Sequence, residues 1–352
     1  MRRRCNISYI QSTFYDNIAQ GRYSNIIAWT KVGYNEVVTT AEENVWSAGG
    51  LYVFPPSATQ MEIVGSENTE DIGTILFGSR TVPVTSDAGG STTTLLDAGV
   101  DFSATAAAGD LLIVDPSGTT PEWAWITTAA NGLLTFTGGL SSGGVGTTRK
   151  YLVVDASPVK GALAMKIEYL DSTYAAKTMI IPCNGTNVMT TLNDAGAAQA
   201  ILRVNSFRVI GVGTEAGTTG HVFGNWQIRA AGAGAVYSYI PIGNTRARNC
   251  AYTVPLGKTL YVTDLNLAWA DDAETKILIA RFIVEANQEP TTFFVNGSIF
   301  YGYGETLVTN GTVMLDRPVP QKFVAKSDIK VSCQAITGSG PASSVMRGYL
   351  VS

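Results

Sequence analysis

Short segments rich in β-branched and aromatic residues recur along the whole chain, and turn residues separate them. The clearest segments are LYVFP from Leu51, LLIVD from Leu111, MKIEYL from Met165, TMIIP from Thr178, RVNSFRVIGV from Arg203 and TLYVTDLNLAW from Thr259. Asn-Gly pairs, which favour two-residue hairpin turns, begin at Asn131, Asn184, Asn296 and Asn310. This pattern predicts an all-β fold built of sandwiches or barrels.

Helix-compatible stretches are few and short, and they lie near Ala41, Asn193 and Asp271. The last of these includes KILIARFIVEA, which also suits a strand and matches its neighbours better in that form. We therefore expect helix to contribute little to the fold.

Residues 85–150 differ from the rest because Ser, Thr, Gly and Ala dominate them and Gly/Ser-rich stretches lie at both ends. The segment contains about four short strand patterns, which predict a small β-barrel-like module with its own core. The predicted core residues are Leu112, Val114, Trp125, Ile126, Leu134 and Phe136. The flanking segments SRTVPVT and RKYLVVD would be neighbouring strands of the host unit.

We interpret this module as an insertion into a first β-sandwich, formed by residues 1–84 plus 151–232. A second, jelly-roll-like β-sandwich then spans residues 233–352. The expected fold class is all-β, with two β-sandwich or jelly-roll-like units in series and a small β-barrel-like insertion in the first. Two jelly rolls in series would resemble the double-jelly-roll coats of membrane-containing viruses, although patterns do not fix strand order.

The chain carries few charges, because only 15% of its 352 residues are Asp, Glu, Lys or Arg and the usual share is about a quarter. Low charge favours extensive contacts between subunits. The net charge of −4 argues against a nucleic-acid-binding chain, and we interpret the basic cluster at residues 2–4 as a solvated terminus.

Cysteine usage and hydropathy indicate a protein made in a reducing compartment. Cys5, Cys183, Cys250 and Cys333 have no metal-ligand or redox spacing, so free thiols are the simplest interpretation. No apolar run follows the basic start, and no stretch of eighteen apolar residues occurs. We therefore expect neither a signal peptide nor a membrane span.

The tripeptide Gly257-Lys258-Thr259 resembles the end of a nucleotide-binding P-loop. That loop needs a glycine five positions before Gly257, where this chain has Tyr252, and a helix must follow, where this chain has a strand pattern. The sequence instead predicts a type I turn over residues 254–257 and no nucleotide site.

Candidate catalytic and metal-binding groups are scattered. His221 is the only histidine and lies in a Gly-rich loop, and no nucleophile or orienting acid accompanies it. Carboxylates cluster at Glu42–Glu43, among residues 67–71, and among residues 271–274, where solvated turns are the favoured interpretation. We expect no catalytic residue, no cofactor and no metal.

Two aromatic pairs are candidate contact residues. Trp123 and Trp125 lie two apart in PEWAWI, and Tyr301 and Tyr303 lie two apart in FYGYGE. Residues two apart on a strand share a face, so either pair could stack on a sugar or on a partner protein. The alternative, that one or both pairs line a core, is favoured about two to one.

Several blocks together resemble a family of virion structural proteins from tailed bacteriophages, common among phages of aquatic bacteria. The blocks run from TKVGYNEVV to TEDIGT, from KIEYLDSTYAAKTMIIPCNGTN to ILRVNSFRVIGVG, through YTVPLGKTLYVTDLNLAW, and from VPQKFVAKSDIKVSCQA to RGYLV. They cover most of the chain outside residues 85–150. The resemblance implies a structural subunit without catalytic residues.

The expected function is therefore a self-assembling virion component, either a capsid-surface (decoration or head) protein or a tail-associated protein. Its expected partners are copies of itself, as a trimer or larger ring, and other virion proteins, with a host surface glycan as a further candidate. It would be assembled in the host cytoplasm and located in the virion. The alternatives are a major capsid protein of double-jelly-roll type and a receptor- or glycan-binding tail fibre or baseplate protein. A fibre-type hydrolase is the least favoured.

Overall fold

The structure is a computed structural model. It describes residues 14, 16–18, 20–118, 120–140, 148–193, 195–216, 220–269, 277–286, 306–309, 311–336 and 338–352. The strands in the first part of the chain are β1 (Ile26–Val38), β2 (Glu43–Asn44), β3 (Thr59–Gly65), β4 (Ile75–Phe77), β5 (Val84–Thr85), β6 (Thr94–Asp101), β7 (Leu111–Val114), β8 (Glu122–Thr137), β9 (Lys150–Val154), β10 (Ala162–Leu170) and β11 (Ala176–Pro182).

The remaining strands are β12 (Met189–Thr190), β13 (Ala200–Ile201), β14 (Arg203–Val212), β15 (Trp226–Ala230), β16 (Val236–Ile240), β17 (Ala251–Thr253), β18 (Thr259–Trp269), β19 (Ile277–Ala286), β20 (Thr306–Thr309), β21 (Gly311–Phe323), β22 (Ser327–Ala335) and β23 (Gly340–Val351). Two 3₁₀ turns, Phe102–Ala104 and Thr214–Ala216, interrupt them. The all-β prediction is confirmed.

The chain forms two compact units. Unit 1 comprises Met1–Tyr52 and Arg248–Ser352, and unit 2 comprises Val53–Ala247. Two sandwich units and a small additional β module were expected, but unit 2 is inserted into unit 1 instead of preceding it. The N-terminal residues thus join the C-terminal unit because β1 pairs with β23 over almost its whole length, from Ile26 opposite Val351 onwards.

Unit 1 has the strand order of a jelly roll. One sheet has the order β1-β23-β18-β21, and the other has the order β17-β22-β19-β20, with β2 also paired to β22. The pairs β1 with β23, β17 with β22, β18 with β21 and β19 with β20 are therefore nested within one another. Nested antiparallel pairs shared between two sheets define the eight-stranded jelly roll.

The second strand position of this jelly roll is divided between two segments of the chain. β2 pairs with residues 332–333 of β22, and β17 pairs with residues 328–330. The two pieces meet where the N–H of Cys250 donates to the carbonyl of Val45 at 3.0 Å. All of unit 2 is thus inserted within a single strand position.

A single apolar core lies within unit 1. Its largest buried side chains include Trp29, Leu260, Trp269, Ile329, Val331 and Met346. These residues alternate with outward-facing ones along β18 and β23, as a sheet with one buried face requires. Each fully buried large side chain contributes about 1.5–3 kcal/mol.

Unit 2 stacks three sheets. The sheet β12-β3-β15-β16, with β13 beside β3, packs on the sheet β11-β10-β14 around Met61, Ile167, Phe207 and Trp226. The third sheet, β4-β9-β7-β8-β6 with β5 beside β9, forms the small module and covers the other side of β11-β10-β14. The middle sheet therefore contributes apolar side chains to a core on each of its faces.

The sequence of β7 is a continuous apolar run because both faces of this strand are buried. Leu112 and Val114 face the module's own core, whereas Leu111 and Ile113 face the middle sheet, and all four are fully buried. Five of the six predicted core residues lie in the module's core. Trp125 does not, because it points to the opposite face from its neighbour Ile126.

The module also extends beyond the predicted limits of 85–150. The flanking strands β5 and β9 pair with each other, as expected for neighbours, but β9 also pairs with β7 and so belongs to the module's sheet. The predicted turn at Asn131-Gly132 is present within β8, and Gly132 adopts φ +73° there. The two halves of β8 fold back on each other, because the Thr127 hydroxyl donates to the Thr135 carbonyl at 3.1 Å.

Candidate functional site

The outer face of the sheet β1-β23-β18-β21 presents ordered rows of side chains. Residues directly opposite each other on antiparallel strands project from the same face of a sheet. The rows are Ala28–Tyr349–Tyr261, Thr30–Arg347–Asp264, Val32–Val345–Asn266 and Tyr34–Ser343–Ala268. We call these twelve residues the outer sheet face.

An aromatic cluster occupies one end of the outer sheet face. The rings of Tyr261 and Tyr349 stack with their centroids 5.1 Å apart and an interplanar angle of 15°. Phe14 packs edge-on against Tyr349 at 5.3 Å and also contacts Tyr23 at 5.8 Å. Residues before β1 therefore cover part of this end.

The outer sheet face carries almost no net charge. The charged residues among the twelve are Arg347 and Asp264, which form an ion pair with Nη1 and Oδ1 3.2 Å apart. At its edges, Arg248 lies over the Tyr34 ring and Lys322 of β21 lies opposite Tyr261. Val32 is 37% exposed, and Val345 and Tyr34 are half-buried. Depletion of charge and enrichment of tyrosine are typical of protein–protein interfaces, so this face is a candidate contact surface.

The predicted aromatic pair of the module lies elsewhere, in unit 2. Trp123 and Trp125 share one face of β8, as the spacing indicates, but both are half-buried. They pack beside the core between the module and the middle sheet, where the bare backbone of Gly211 leaves room for the Trp125 ring. These tryptophans help to attach the module to its neighbouring sheet.

The second predicted pair, Tyr301 and Tyr303, lies outside the described residues. Sequence reasoning did not identify the outer sheet face. Its residues come from three strands far apart in the chain, and only the strand register shows that they form rows. The available signal was the alternation in β23, where Ser343, Val345, Arg347 and Tyr349 occupy every second position.

The acidic cluster at residues 67–71 fixes loops in place. Asp71 is completely buried, and its carboxylate accepts the N–H groups of Ala162 and Gly224, each at 2.8 Å, and the indole N–H of Trp226 at 2.9 Å. It accepts the N–H of Phe223 as well. A carboxylate so fully hydrogen-bonded holds three chain segments together and is not available as a general base.

Glu43 has the same role in unit 1. Burial opposes the charged form of Glu43, but hydrogen bonds from the Thr39 hydroxyl, the Gly50 N–H and the Asn35 amide outweigh burial and lower its pKa. Its expected place in a solvated turn is therefore corrected, because only 8% of Glu43 is exposed. Residues 271–274 lie outside the described part of the chain.

The Gly-Lys-Thr segment forms a tight turn, one residue later than predicted. The N–H of Lys258 donates to the carbonyl of Pro255 at 3.1 Å, and Gly257 adopts φ +74° at the third position. Positive φ at that position is the mark of a type II turn and not of the predicted type I turn. The strand β18 then begins at Thr259, as predicted.

Other candidate groups occupy ordinary structural positions. The Nδ1 of His221 lies 2.9 Å from the carbonyl oxygen of Val222, and its ring contacts Phe223. Cys183, Cys250 and Cys333 are buried, and burial raises the pKa of Cys250 to about 11. Within the described ranges, no cluster of His, Cys, Asp or Glu has the arrangement of a metal site.

None of the helical segments in the described part of the chain has the length and apolar character needed to cross a membrane.

Comparisons with known proteins do not assign the chain to a family. No protein family and no curated protein matches the chain. Among solved structures, a T=1 particle derived from infectious bursal virus aligns with 93% of this chain and 73% of that chain, at 10% sequence identity and a TM-score of 0.13. A TM-score this low carries no argument about fold or function.

Proposed function

We propose that the chain is a structural subunit of a virus particle that assembles with copies of itself through the outer sheet face. The observation that carries the proposal is the jelly-roll strand order of unit 1, an architecture shared by viral coat subunits, lectins and cupins. Fold alone does not determine function, so the choice among these classes depends on the surface and the interior.

The interior of unit 1 favours a structural role. Apolar side chains fill the space between its sheets, and the described residues offer no metal-binding cluster of the kind that a cupin enzyme needs. The surface points the same way, because the outer sheet face combines exposed apolar groups with a single, internally neutralised ion pair. Such a face loses little on desolvation when a second subunit covers it.

The more specific proposal is a component of a tailed bacteriophage virion, on the capsid surface or the tail. Support comes from the resemblance of its sequence blocks to that class of proteins. A trimer or larger ring is the proposed assembly, and the proposed location is the virion. The double-jelly-roll alternative receives less support, because the sheets of unit 2 do not repeat the nested pairing of unit 1.

The test is the oligomeric state of the purified chain and of a double variant, Val32→Lys with Val345→Lys, measured by light scattering. These residues lie opposite each other in the outer sheet face. Two added cations should repel a partner and shift the assembly to monomer. The matched control is Val82→Lys in unit 2, because Val82 is 71% exposed and lies outside this face; it should leave the mass unchanged.

A wild-type chain that stays monomeric at high concentration, and that is absent from intact particles examined by electron microscopy, would contradict the proposal. Equal effects of the double variant and the Val82→Lys control would show that added charge, and not this face, decides the outcome.

A further inference from the structure

The side of the middle sheet of unit 2 that faces the module carries a row of three cations. Lys166 on β10 lies directly opposite Arg208 on β14, and Arg208 forms an isolated β-bridge with Arg246. The adjacent residues Ile167 on β10 and Phe207 on β14 face the hydrophobic core, so the three cations project from the opposite side of the sheet. We call Lys166, Arg208 and Arg246 the basic row.

Trp123 lies over two members of the basic row. The Nζ of Lys166 and the Cζ of Arg208 are each 5.8 Å from the centroid of the Trp123 ring. At this distance the ring attracts both cations, and the contact aligns them side by side. The indole is half-buried, so it fixes the row and still contributes an apolar edge to the surface.

The basic row is not balanced by acidic groups. Glu168 forms an ion pair with Lys166, with Oε1 and Nζ 3.1 Å apart. Among the described carboxylates, none forms an ion pair with Arg208 or Arg246, and Arg246 is exposed. Like charges directly opposite each other on a sheet are destabilising, and here they occur on a chain with net charge −4.

We propose that the basic row and Trp123 bind an acidic polysaccharide through its carboxylate or sulfate groups. Arginine presents a planar fork of N–H donors that fits such groups with two parallel hydrogen bonds. The indole edge offers an apolar surface to the C–H groups of a sugar ring. This binding site lies in unit 2 and is independent of the assembly role proposed for unit 1.

The size and charge of the basic row favour an acidic polysaccharide over nucleic acid. Nucleic-acid binding depends on a track of cations that neutralises many phosphates, usually on a basic domain. Three cations beside one carboxylate match the one or two acidic groups that a short stretch of acidic polysaccharide presents.

The experiment uses the full-length chain and measures binding to polygalacturonate, dextran sulfate and neutral dextran by calorimetry at low salt. We expect both acidic polymers to bind and neutral dextran not to bind. The double variant Arg208→Gln with Arg246→Gln should raise the dissociation constant at least tenfold. The single variant Arg246→Gln, at an exposed position, should raise it severalfold. The thermal unfolding midpoint of each variant checks folding.

The matched control removes two exposed cations elsewhere, Arg22→Gln with Lys160→Gln, and so changes the net charge equally. If this control weakens binding as much as the double variant does, only general electrostatic attraction is present and the proposal fails. It also fails if no acidic polymer binds, or if a single-stranded DNA of similar charge binds more tightly and depends on the same arginines. The assembly proposal is tested separately, by the oligomeric state, so these binding results can fail without affecting it.

Discussion

At the scale of single residues, buried carboxylates hold the loops of both units, and Glu43 offers the clearest test. Its carboxylate accepts donors from Asn35, Thr39 and Gly50, so Glu43→Gln turns an N–H₂ group towards donors that need an acceptor. We expect a loss of about 1–3 kcal/mol in the free energy of unfolding at pH 7, measured by urea denaturation. The exposed residue Glu36 on β1 supplies the control, and Glu36→Gln should be nearly neutral.

The pH dependence of this difference has a defined sign. The pKa of Glu43 is lowered in the folded state, so the carboxylate contributes stability above its ordinary pKa of 4.5. That contribution is lost as the pH falls through the lower, folded-state pKa. The gap between the wild type and Glu43→Gln should therefore shrink at about pH 3. A gap of equal size at both pH values would mean that packing, and not charge, causes it.

At the scale of secondary-structure elements, the turn before β18 depends on one backbone angle. Gly257 adopts φ +74°, and a Cβ at this position would meet no atom within 4 Å. Replacement by alanine therefore introduces backbone strain without a steric clash, and we expect Gly257→Ala to cost about 1 kcal/mol in urea denaturation. Lys258→Ala, in the same turn, should change stability by less than about 0.5 kcal/mol. Equal effects of the two substitutions would contradict the type II turn.

The strands could be predicted best, because the alternation of apolar and polar residues along the sequence reflects alternating burial. The segments from Arg203 and from Thr259 match β14 and β18 in both bounds. The segment from Leu51 fails: Tyr52 is buried and Leu51 and Val53 are exposed, as in a strand, but the segment lies outside all of the sheets. Alternation shows which side chains are buried, whereas a strand also needs a partner for its backbone.

Strand pairing explains why the division into units and the candidate sites could not be predicted. The pairing of Ile26 with Val351 joins residues at opposite ends of the sequence, and no local pattern records it. The same holds for the outer sheet face and the basic row, each assembled by register across strands. Trp123 alone was identified beforehand, from its spacing with Trp125, although its surroundings proved to be cationic and half-buried.

At the scale of the whole molecule, the jelly roll contains unit 2 as an insertion within its second strand position. Each unit has cores built only from its own residues, and the pairs that define the jelly roll include no strand of unit 2. Unit 1 should therefore fold when residues 53–247 are replaced by a Gly/Ser linker of about eight residues, which spans on the order of 15 Å. Residues 53–247 should also fold alone.

The matched comparison for this excision is the fragment 233–352, the limits that the sequence suggested for the C-terminal unit. That fragment lacks β1 and β2, so β23 loses its edge partner and the core loses Trp29, Val38 and Val45. Circular dichroism and urea denaturation should show cooperative unfolding for the excised jelly roll and for residues 53–247, but not for residues 233–352. A cooperatively folded 233–352 fragment beside an unfolded excision variant would mean that β1 does not complete the jelly roll and that the units follow one another along the chain.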